Sequence, residues 1–481
     1  MNTKLNVTAP DDDYFRSHLP NQNENGRRQW LYPRATSGRF TKWRTVVAVG
    51  LLFALFAGPF IWVDGHPLFL FNVLERRFIF FGVTFWPQDF YLVAIGLITF
   101  IVFIALFTVV FGRGFCGWAC PQTIFMEMVF RKVEQWIEGD HKARQRLDAA
   151  PWTTEKWLKK MVKHGVFFLI SFAISNTFLA YIIGREQWLT LITDNPAQHL
   201  AGLTTLLIFT GVFYGVFAYL REIVCTTICP YGRLQSVLLD KHSLIVAYDY
   251  VRGEPRGKRV KGDELNSKNS LTLLPSPKGD CVDCKLCVHV CPTGIDIRNG
   301  TQMECINCTA CMDACDEVMI KIDRPLGLIR MDSQQGIHSR EPFRFTKRIM
   351  AYTGMLIVLL AVLGFLLISR PELDVTILRA PGQLFQREAN GQVANLYSVE
   401  VINKTYHVLP VRFRLNRADA TLRFVQPLSQ TQPGELAKTM FFITLPEKAI
   451  RADKTNLTID VLTGDAVIDQ IGTTFLGPVN Q

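Results

Sequence analysis

No cysteine occurs in this 481-residue chain before Cys116 or after Cys315, so its twelve thiols are confined to one stretch and the rest of the chain has none with which to form a disulfide. None of its cysteine pairs is followed by histidine in the C-x-x-C-H pattern, which excludes covalent c-type haem. Five stretches contain no Lys, Arg, Asp or Glu: Thr45 to Val63, Phe90 to Phe111, His164 to Gly184, Leu200 to Leu220, and Ile349 to Ser369. Each is long enough to cross the ~30 Å hydrocarbon core as a helix. No groove-reading motif accompanies the net charge of +10, so the basic residues are read as membrane orientation, and nucleic acid is not expected as a partner. The G-x-G-x-x-G match from Gly112 to Gly117 follows a span rather than a strand, which rejects a dinucleotide site. With no flavin or nicotinamide fingerprint, the cytoplasmic electron donor is left unidentified.

What the chain does have is apolar surface: 49% of its residues are hydrophobic and 12% aromatic, which suits several membrane helices rather than a soluble domain. Residues 1 to 44 are polar, basic and turn-rich, too long for the n-region of a cleaved signal, and are expected to form a largely disordered tail. Pro67 to Trp86 is apolar but divided by Glu75, Arg76 and Arg77, which favours an interfacial or re-entrant element over a sixth span. Lys plus Arg number 8 in the tail, 2 in 64–89, 10 in 112–163, 1 in 185–199 and 19 in 221–348. That alternation places the N-terminus and both long basic segments in the cytoplasm and the C-terminus in the periplasm. After Pro371 the pattern turns to period-2 alternation with Gly, Pro and Asn punctuation, as in Tyr397-Ser-Val-Glu-Val-Ile, which suggests an immunoglobulin-like β-sandwich without the inter-sheet disulfide.

Cys281, Cys284, Cys287 and Cys291-Pro292 form C-x2-C-x2-C-x3-C-P, and Cys305, Cys308, Cys311 and Cys315 repeat the spacing 24 residues later. This is the two-cluster bacterial ferredoxin signature, in which the fourth cysteine of each run serves the other cluster. One 4Fe-4S cluster then takes Cys281, Cys284, Cys287 and Cys315, and the other takes Cys305, Cys308, Cys311 and Cys291. The second run has Asp316 where proline is usual, which alters the turn around one cluster. Structural zinc is the competing reading, and zinc sites rarely use eight cysteines so spaced.

Cys116-Gly-Trp-Ala-Cys120-Pro121 follows the second span and Cys225-Thr-Thr-Ile-Cys229-Pro230 follows the fourth. The unit of two spans, C-x3-C-P and an amphipathic stretch therefore occurs twice, which allows a four-thiolate site between the halves, within one chain or across a homodimer. Proline after the second cysteine suits a helix starting at Pro121 or Pro230, so that Cys120 and Cys229 face helix N-termini. With Arg113, Arg221 and Arg233 nearby, these thiols are expected to have lowered pKa values and to select Cu(I), zinc or iron–sulfur units. Met126 and Met128 are read as core or lipid-facing rather than ligands.

The ordered set of twelve cysteines, with Arg113-Gly-Phe-Cys-Gly-Trp-Ala-Cys-Pro-Gln and Cys291-Pro-Thr-Gly-Ile-Asp-Ile-Arg, resembles the FixG/RdxA/CcoG family. The resemblance implies a bacterial inner-membrane accessory protein of cbb-type cytochrome c oxidase assembly that reduces Cu(II) to Cu(I), working with copper-delivery and oxidase-assembly proteins. Copper would then sit on Cys116, Cys120, Cys225 and Cys229. Two other classes stay open: a quinone-linked membrane polyferredoxin, which no transmembrane His pair supports, and a non-catalytic scaffold recruiting oxidase subunits through the sandwich. The expected plan is a cytoplasmic tail at 1–44, a four-span core at 45–250, a ferredoxin domain at 251–348, a fifth span at 349–369 and the periplasmic immunoglobulin-like domain at 370–481.

Overall fold

The computed structural model describes residues 21–22, 27–63, 66–73, 77–81, 83–257, 279–340, 344–382, 384–388, 391–405, 407–434, 436–450, 452–464 and 466–478. The chain divides into two compact units, Met1–Ile61 with Ala94–Ala361, and Trp62–Val93 with Val362–Gln481. Five helices are long and apolar enough to cross a membrane: Arg39–Ala57, Phe90–Phe111, Thr154–Ile183, Leu200–Leu220 and Lys347–Ile368. Large side chains such as Phe53, Phe100, Leu207 and Phe365 stay exposed along them, which in water would be costly and in lipid is the required surface.

The ends of these helices differ from the charge-free stretches for local reasons. The first begins at Arg39 because Asp313, from the helix Ala310–Lys321, accepts the backbone N–H groups of Phe40 (3.1 Å) and Thr41 (2.7 Å) and the Thr41 hydroxyl (2.6 Å). It is an N-cap supplied from elsewhere in the chain. Gly38 is required beside it, since a Cβ there would collide with the Asp313 carboxylate. The third helix starts at Thr154, ten residues before His164, with Thr153 as its N-cap (3.3 Å to the Lys156 N–H). Counting charges starts this helix late, because Lys156 and Lys163 are buried inside the protein rather than excluded from the helix. Residues 27 to 38 also depart from the disordered tail expected of them. Arg28 pairs with Glu222 (3.0 Å), the Tyr32 hydroxyl donates to Asp148 (2.5 Å), and the Arg34 N–H donates to the His289 carbonyl (2.8 Å). Trp30 lies under both Arg28 and Arg221. Residues 1–20 and 23–26 of the tail lie outside the described residues.

In the second unit the period-2 pattern forms a sandwich. Its strands are β1 (Leu373–Arg379), β2 (Gln392–Asn403), β3 (Arg412–Leu415), β4 (Thr421–Phe424), β5 (Leu436–Pro446), β6 (Lys454–Thr463) and β7 (Ala466–Leu476). One sheet runs in the order β4-β5-β2-β1 and the other β3-β6-β7, all antiparallel. Alternate residues Tyr397, Val399 and Val401 of β2 meet Phe441, Ile443, Ile459, Val461 and Phe475 in the core. The buried Tyr397 hydroxyl donates to the Thr474 carbonyl (3.0 Å), so the sheets share a hydrogen bond as well as apolar area.

Among the described residues, the segment 67–86 forms no spanning helix, in line with the expectation, and consists of short strands. It folds as a meander, Phe69–Asn72 against Arg77–Phe80 against Val83–Phe85. Buried Asp89 follows it and binds Arg370 (2.6 Å) and Lys404 (2.7 Å), while Arg370 also donates to the Thr84 carbonyl (2.6 Å). Burial raises the Asp89 carboxyl, but Lys404 and Arg370 outweigh it and hold its pKa below the ordinary value. The stability this group contributes is therefore present above the ordinary carboxylate pKa of about 4 and is lost as pH falls through the lowered folded value. Replacing Asp89 by Ala takes the carboxylate from buried Arg370 and leaves Lys404 with Asp374 alone (3.1 Å), and is expected to cost about 3 kcal/mol. Thermal unfolding of the detergent-solubilised chain followed by circular dichroism, from pH 7 down to pH 3, checks both. The wild-type midpoint falls with acid, and Asp89→Ala starts low and loses less.

Candidate metal centre

The two cysteine runs share a backbone. Asp283 and Lys285 flank Cys284 with φ of 50° and 54°, and Asn307 and Thr309 flank Cys308 with φ of 52° and 63°. Left-handed geometry is ordinary for Asp and Asn but unfavourable for a β-branched threonine. Thr309 is held there with its hydroxyl on the Cys308 carbonyl (2.7 Å). Such strain at equivalent positions of two loops marks a site the surrounding structure enforces, and nothing in the residue types at 285 and 309 announces it.

Cys281, Cys284, Cys287 and Cys315 line one cavity, and Cys291, Cys305, Cys308 and Cys311, with Cys287 at its edge, line another. The first run leaves its short helix Leu286–His289 and turns at Cys291-Pro292, whereas the second continues through Cys315 to Lys321. Asp316 permits that continuation where proline would break it, and its carboxylate accepts the Gly327 N–H (2.9 Å). Burial pushes the free thiols up, Cys287, Cys305 and Cys315 to about 12 and Cys308 to about 11. Sulfurs this dry are poor acids alone, and carry charge only when a metal replaces the proton. Paired cavities lined by soft ligands fit iron–sulfur clusters, whose cubes need cysteines at their corners rather than around one ion.

The duplicated C-x3-C-P loops also share a turn at their second cysteine. The Cys120 N–H donates to the Phe115 carbonyl (2.9 Å) and the Cys229 N–H to the Val224 carbonyl (2.7 Å), each a wide i to i−5 turn. Cys120 (φ −62°, ψ 125°) and Cys229 (φ −68°, ψ 113°) then leave helical geometry, and helices start at Pro121 and Pro230. Cys225 lies within electrostatic reach of Cys116, Cys120 and Cys229, so all four gather within one chain. Among the described residues, however, no three His, Cys, Asp or Glu side chains close tightly enough for a single metal ion.

The first cysteine of each loop lies away from the helix N-terminus and behaves differently from what was expected of Cys120 and Cys229. Burial raises Cys116 despite Arg113, and pushes Cys225 to about 12. Desolvation outweighs the nearby positive charge because these sulfurs sit inside the protein. Arg221, expected beside them, instead binds Glu134, and the Arg233 side chain lies outside the described residues. Met126 is buried in an apolar cluster with Phe125 and Phe130.

Two contacts join the loops to the cysteine runs. Gly117 lies directly on the backbone of Ile306 and Asn307, and Cys116 packs with Ile306 and Cys308. Asn307 donates to the Phe111 carbonyl (3.3 Å). Fully buried Gln235 accepts from Arg113 Nε (2.9 Å) and the Cys116 thiol (3.3 Å). Beneath them lies a buried ion network with Glu134 at its centre, bound by Arg221 (2.8 Å), Arg144 (3.1 Å) and Lys163 (3.3 Å). Burial raises Glu134, but these three cations hold it well below the ordinary value. Arg131 bridges Glu222 (3.3 Å) to the Pro292 carbonyl (3.2 Å) beside Cys291. The sequence offered a signal for this network in the spacing of Glu127, Glu134 and Glu138 opposite Lys156, Lys160 and Lys163, which reads on its face as loop charge.

Comparisons with known proteins agree with this arrangement. A 4Fe-4S dicluster domain matches residues 220–334, a 4Fe-4S binding domain matches 93–139, and an IG-like fold at the C-terminal of FixG matches 363–478. The 93–139 match contains Cys116 and Cys120. "Nitrogen fixation protein FixG" of Rhizobium meliloti is 32% identical over 468 residues, covering 88% of this chain and 87% of its own. "Protein RdxA" of Cereibacter sphaeroides is 36% identical over 389 residues, 78% of this chain and 79% of its own. The spans, the cysteine-lined cavities and the dicluster match define a multi-pass membrane iron–sulfur protein of electron transfer. The chain belongs to the FixG/RdxA family.

The Gly117 contact is testable on its own. A Cβ at 117 meets the Ile306 carbonyl and lies 3.0 Å from the Asn307 carbonyl carbon, backbone that cannot step aside. Gly117→Ala is expected to cost about 1–3 kcal/mol by overpacking, read as a lower melting midpoint with less iron per chain. Gly96→Ala, with open space around its Cβ, is the control and leaves both unchanged.

Proposed function

We propose that this protein reduces Cu(II) to Cu(I) during assembly of a cbb-type cytochrome c oxidase, at the bacterial inner membrane with the cysteine runs in the cytoplasm. In this reading Cys281, Cys284, Cys287 and Cys315 hold one 4Fe-4S cluster, and Cys305, Cys308, Cys311 and Cys291 hold the other. Copper is the substrate, taken by Cys116, Cys120, Cys225 and Cys229. The observation that carries the reading is the packing of Cys116 against Ile306 and Cys308, which puts a soft thiol set beside a cluster site. Each turnover moves one electron from a reduced cluster to Cu(II), which becomes Cu(I), and thiolates retain the softer product. The reduced copper is then handed on to copper-delivery and oxidase-assembly proteins. A one-electron donor in the cytoplasm replenishes the clusters.

The 4Fe-4S match over 93–139 favours a second reading, in which the same four thiols hold an iron–sulfur unit and extend the electron path. One set of measurements separates the two. The protein is purified anaerobically in detergent, reduced, and mixed with Cu(II), and cluster reoxidation is followed optically alongside Cu(I) capture by a chelator. Wild type is expected to yield stoichiometric Cu(I), and the variant with Cys116, Cys120, Cys225 and Cys229 replaced by Ser none, with its iron content unchanged. Loss of iron in that variant would move the assignment to the second reading, and clusters that ignore copper would sink the reductase.

A further inference from the structure

The two cysteine-lined cavities differ in how the charges around them are paired. Beside Cys281, Cys284, Cys287 and Cys315, the buried Arg298 is shared by Asp283 (2.6 Å) and Asp296 (2.6 Å), and Arg252 is bound by Asp280 (2.6 Å). Asp316, next to Cys315, accepts a backbone N–H and makes no ion pair among the described residues. Lys285 is exposed to solvent, where its charge is screened. Lys285 and Arg298 line this cavity, and Arg324 also lies 3.8 Å from Asp280, so its buried cations are met by carboxylates.

Around Cys291, Cys305, Cys308 and Cys311 the buried cations lack such partners. Arg44, 7% exposed, donates from Nε to the Gly117 carbonyl (2.8 Å), and its Nη2 has no hydrogen-bond partner. Arg113, 4% exposed, donates to Gln235 Oε1 and the Met303 carbonyl, both neutral. Neither forms an ion pair with a described carboxylate. Arg44 lies within electrostatic reach of Cys308 and Arg113 of Cys305. Of the nearby acids, Glu127 is paired with Arg131, and buried Asp313 holds only neutral donors, which leaves one carboxylate against the two guanidinium groups. An isolated buried guanidinium is costly unless an anion compensates it, and a cube with four thiolates supplies that anion.

We propose that Arg44 and Arg113 are positioning residues that hold the cluster site of Cys291, Cys305, Cys308 and Cys311 at a higher reduction potential than that of Cys281, Cys284, Cys287 and Cys315, so that an electron entering at the charge-paired site comes to rest beside Cys116. This rests on the cysteine assignment made above. Reduction adds one negative charge without a proton, and in a low-dielectric interior an uncompensated cation favours that charge while carboxylates oppose it. One cube is oxidised by one electron as the other is reduced by one, and an external one-electron reductant refills the first.

The test is a potentiometric titration of the full chain in detergent with dithionite, monitored by electron paramagnetic resonance. Two separated midpoint potentials are expected. Arg44→Gln lowers the higher one alone, Arg44→Lys keeps it near the wild-type value, and Asp283→Asn raises the lower one alone. Asparagine suits the left-handed backbone at 283, so this variant tests the proposal even where Arg44→Gln fails to assemble. Coincident wild-type potentials, an Arg44→Gln shift common to both clusters or to neither, or an Asp283→Asn shift of the higher potential would each overturn the proposal. Failure of the cysteine assignment looks different, since wild type itself would then lack two cluster signals.

Discussion

The contact between Gly117 and the backbone of Ile306 and Asn307 is the constraint on which the rest of the first unit depends. It brings the second cysteine run down onto the first C-x3-C-P loop with no side chain between them, so Cys116 and Cys308 share one apolar cluster. Close backbone approach of this kind is available only to glycine. Around it, each neighbouring element is tied to the same place. Arg44 of the first span reaches the Gly117 carbonyl, Asn307 reaches the end of the second span at Phe111, and Asp313 caps the first span from within the second cysteine run. An electron-transfer centre gains from such redundancy, because rate depends on separations that a loose loop would not maintain.

Holding an iron–sulfur domain against membrane helices also requires charge to be buried at their edge. The Glu134 network does this with carboxylates and cations from separate elements: the helix Arg131–Glu138, the start of the third span, the turn after the fourth and the N-terminal strap. Buried ion pairs add little net stability when complete, but removing one partner is costly. The network therefore acts mainly as a registration device. It accepts only the arrangement in which every charge is met, and through Arg131 that arrangement includes the Pro292 carbonyl next to Cys291.

Much of this was legible in residue order because the features involved are local. Charge-free runs of about twenty residues gave the spans, period-2 alternation gave the sandwich, and proline after Cys120 and Cys229 gave the helix starts at Pro121 and Pro230. The misses are all non-local. Lys163 looks like a loop charge until Glu134 and Glu138 are placed beside it, and Lys156 until its ammonium meets the Asp148 and Ala150 carbonyls. Residues 27–38 look disordered because their partners, Asp148, Glu222 and His289, lie more than a hundred residues away. The meander at 67–86 was hidden by its own apolar content, since short buried strands and membrane-facing elements share composition. The burial that raises the Cys116 and Cys225 thiols is likewise invisible in residue order.

The duplication itself is faithful in backbone and broken in side chains, and the breaks are informative. The position two residues after each proline is Thr123 in the first half and Gly232 in the second. Thr123 is buried, whereas Gly232 leaves room for the Arg113 guanidinium, 3.0 Å from where a Cβ would lie. Cys116 accordingly has Arg113 and Gln235 beside it, while Cys225 lies among the other thiols. A symmetric four-thiol site would offer an incoming electron no preferred side. This one places its cation and its cluster contact together at Cys116, so the half nearer Cys308 is also the half best able to stabilise added negative charge.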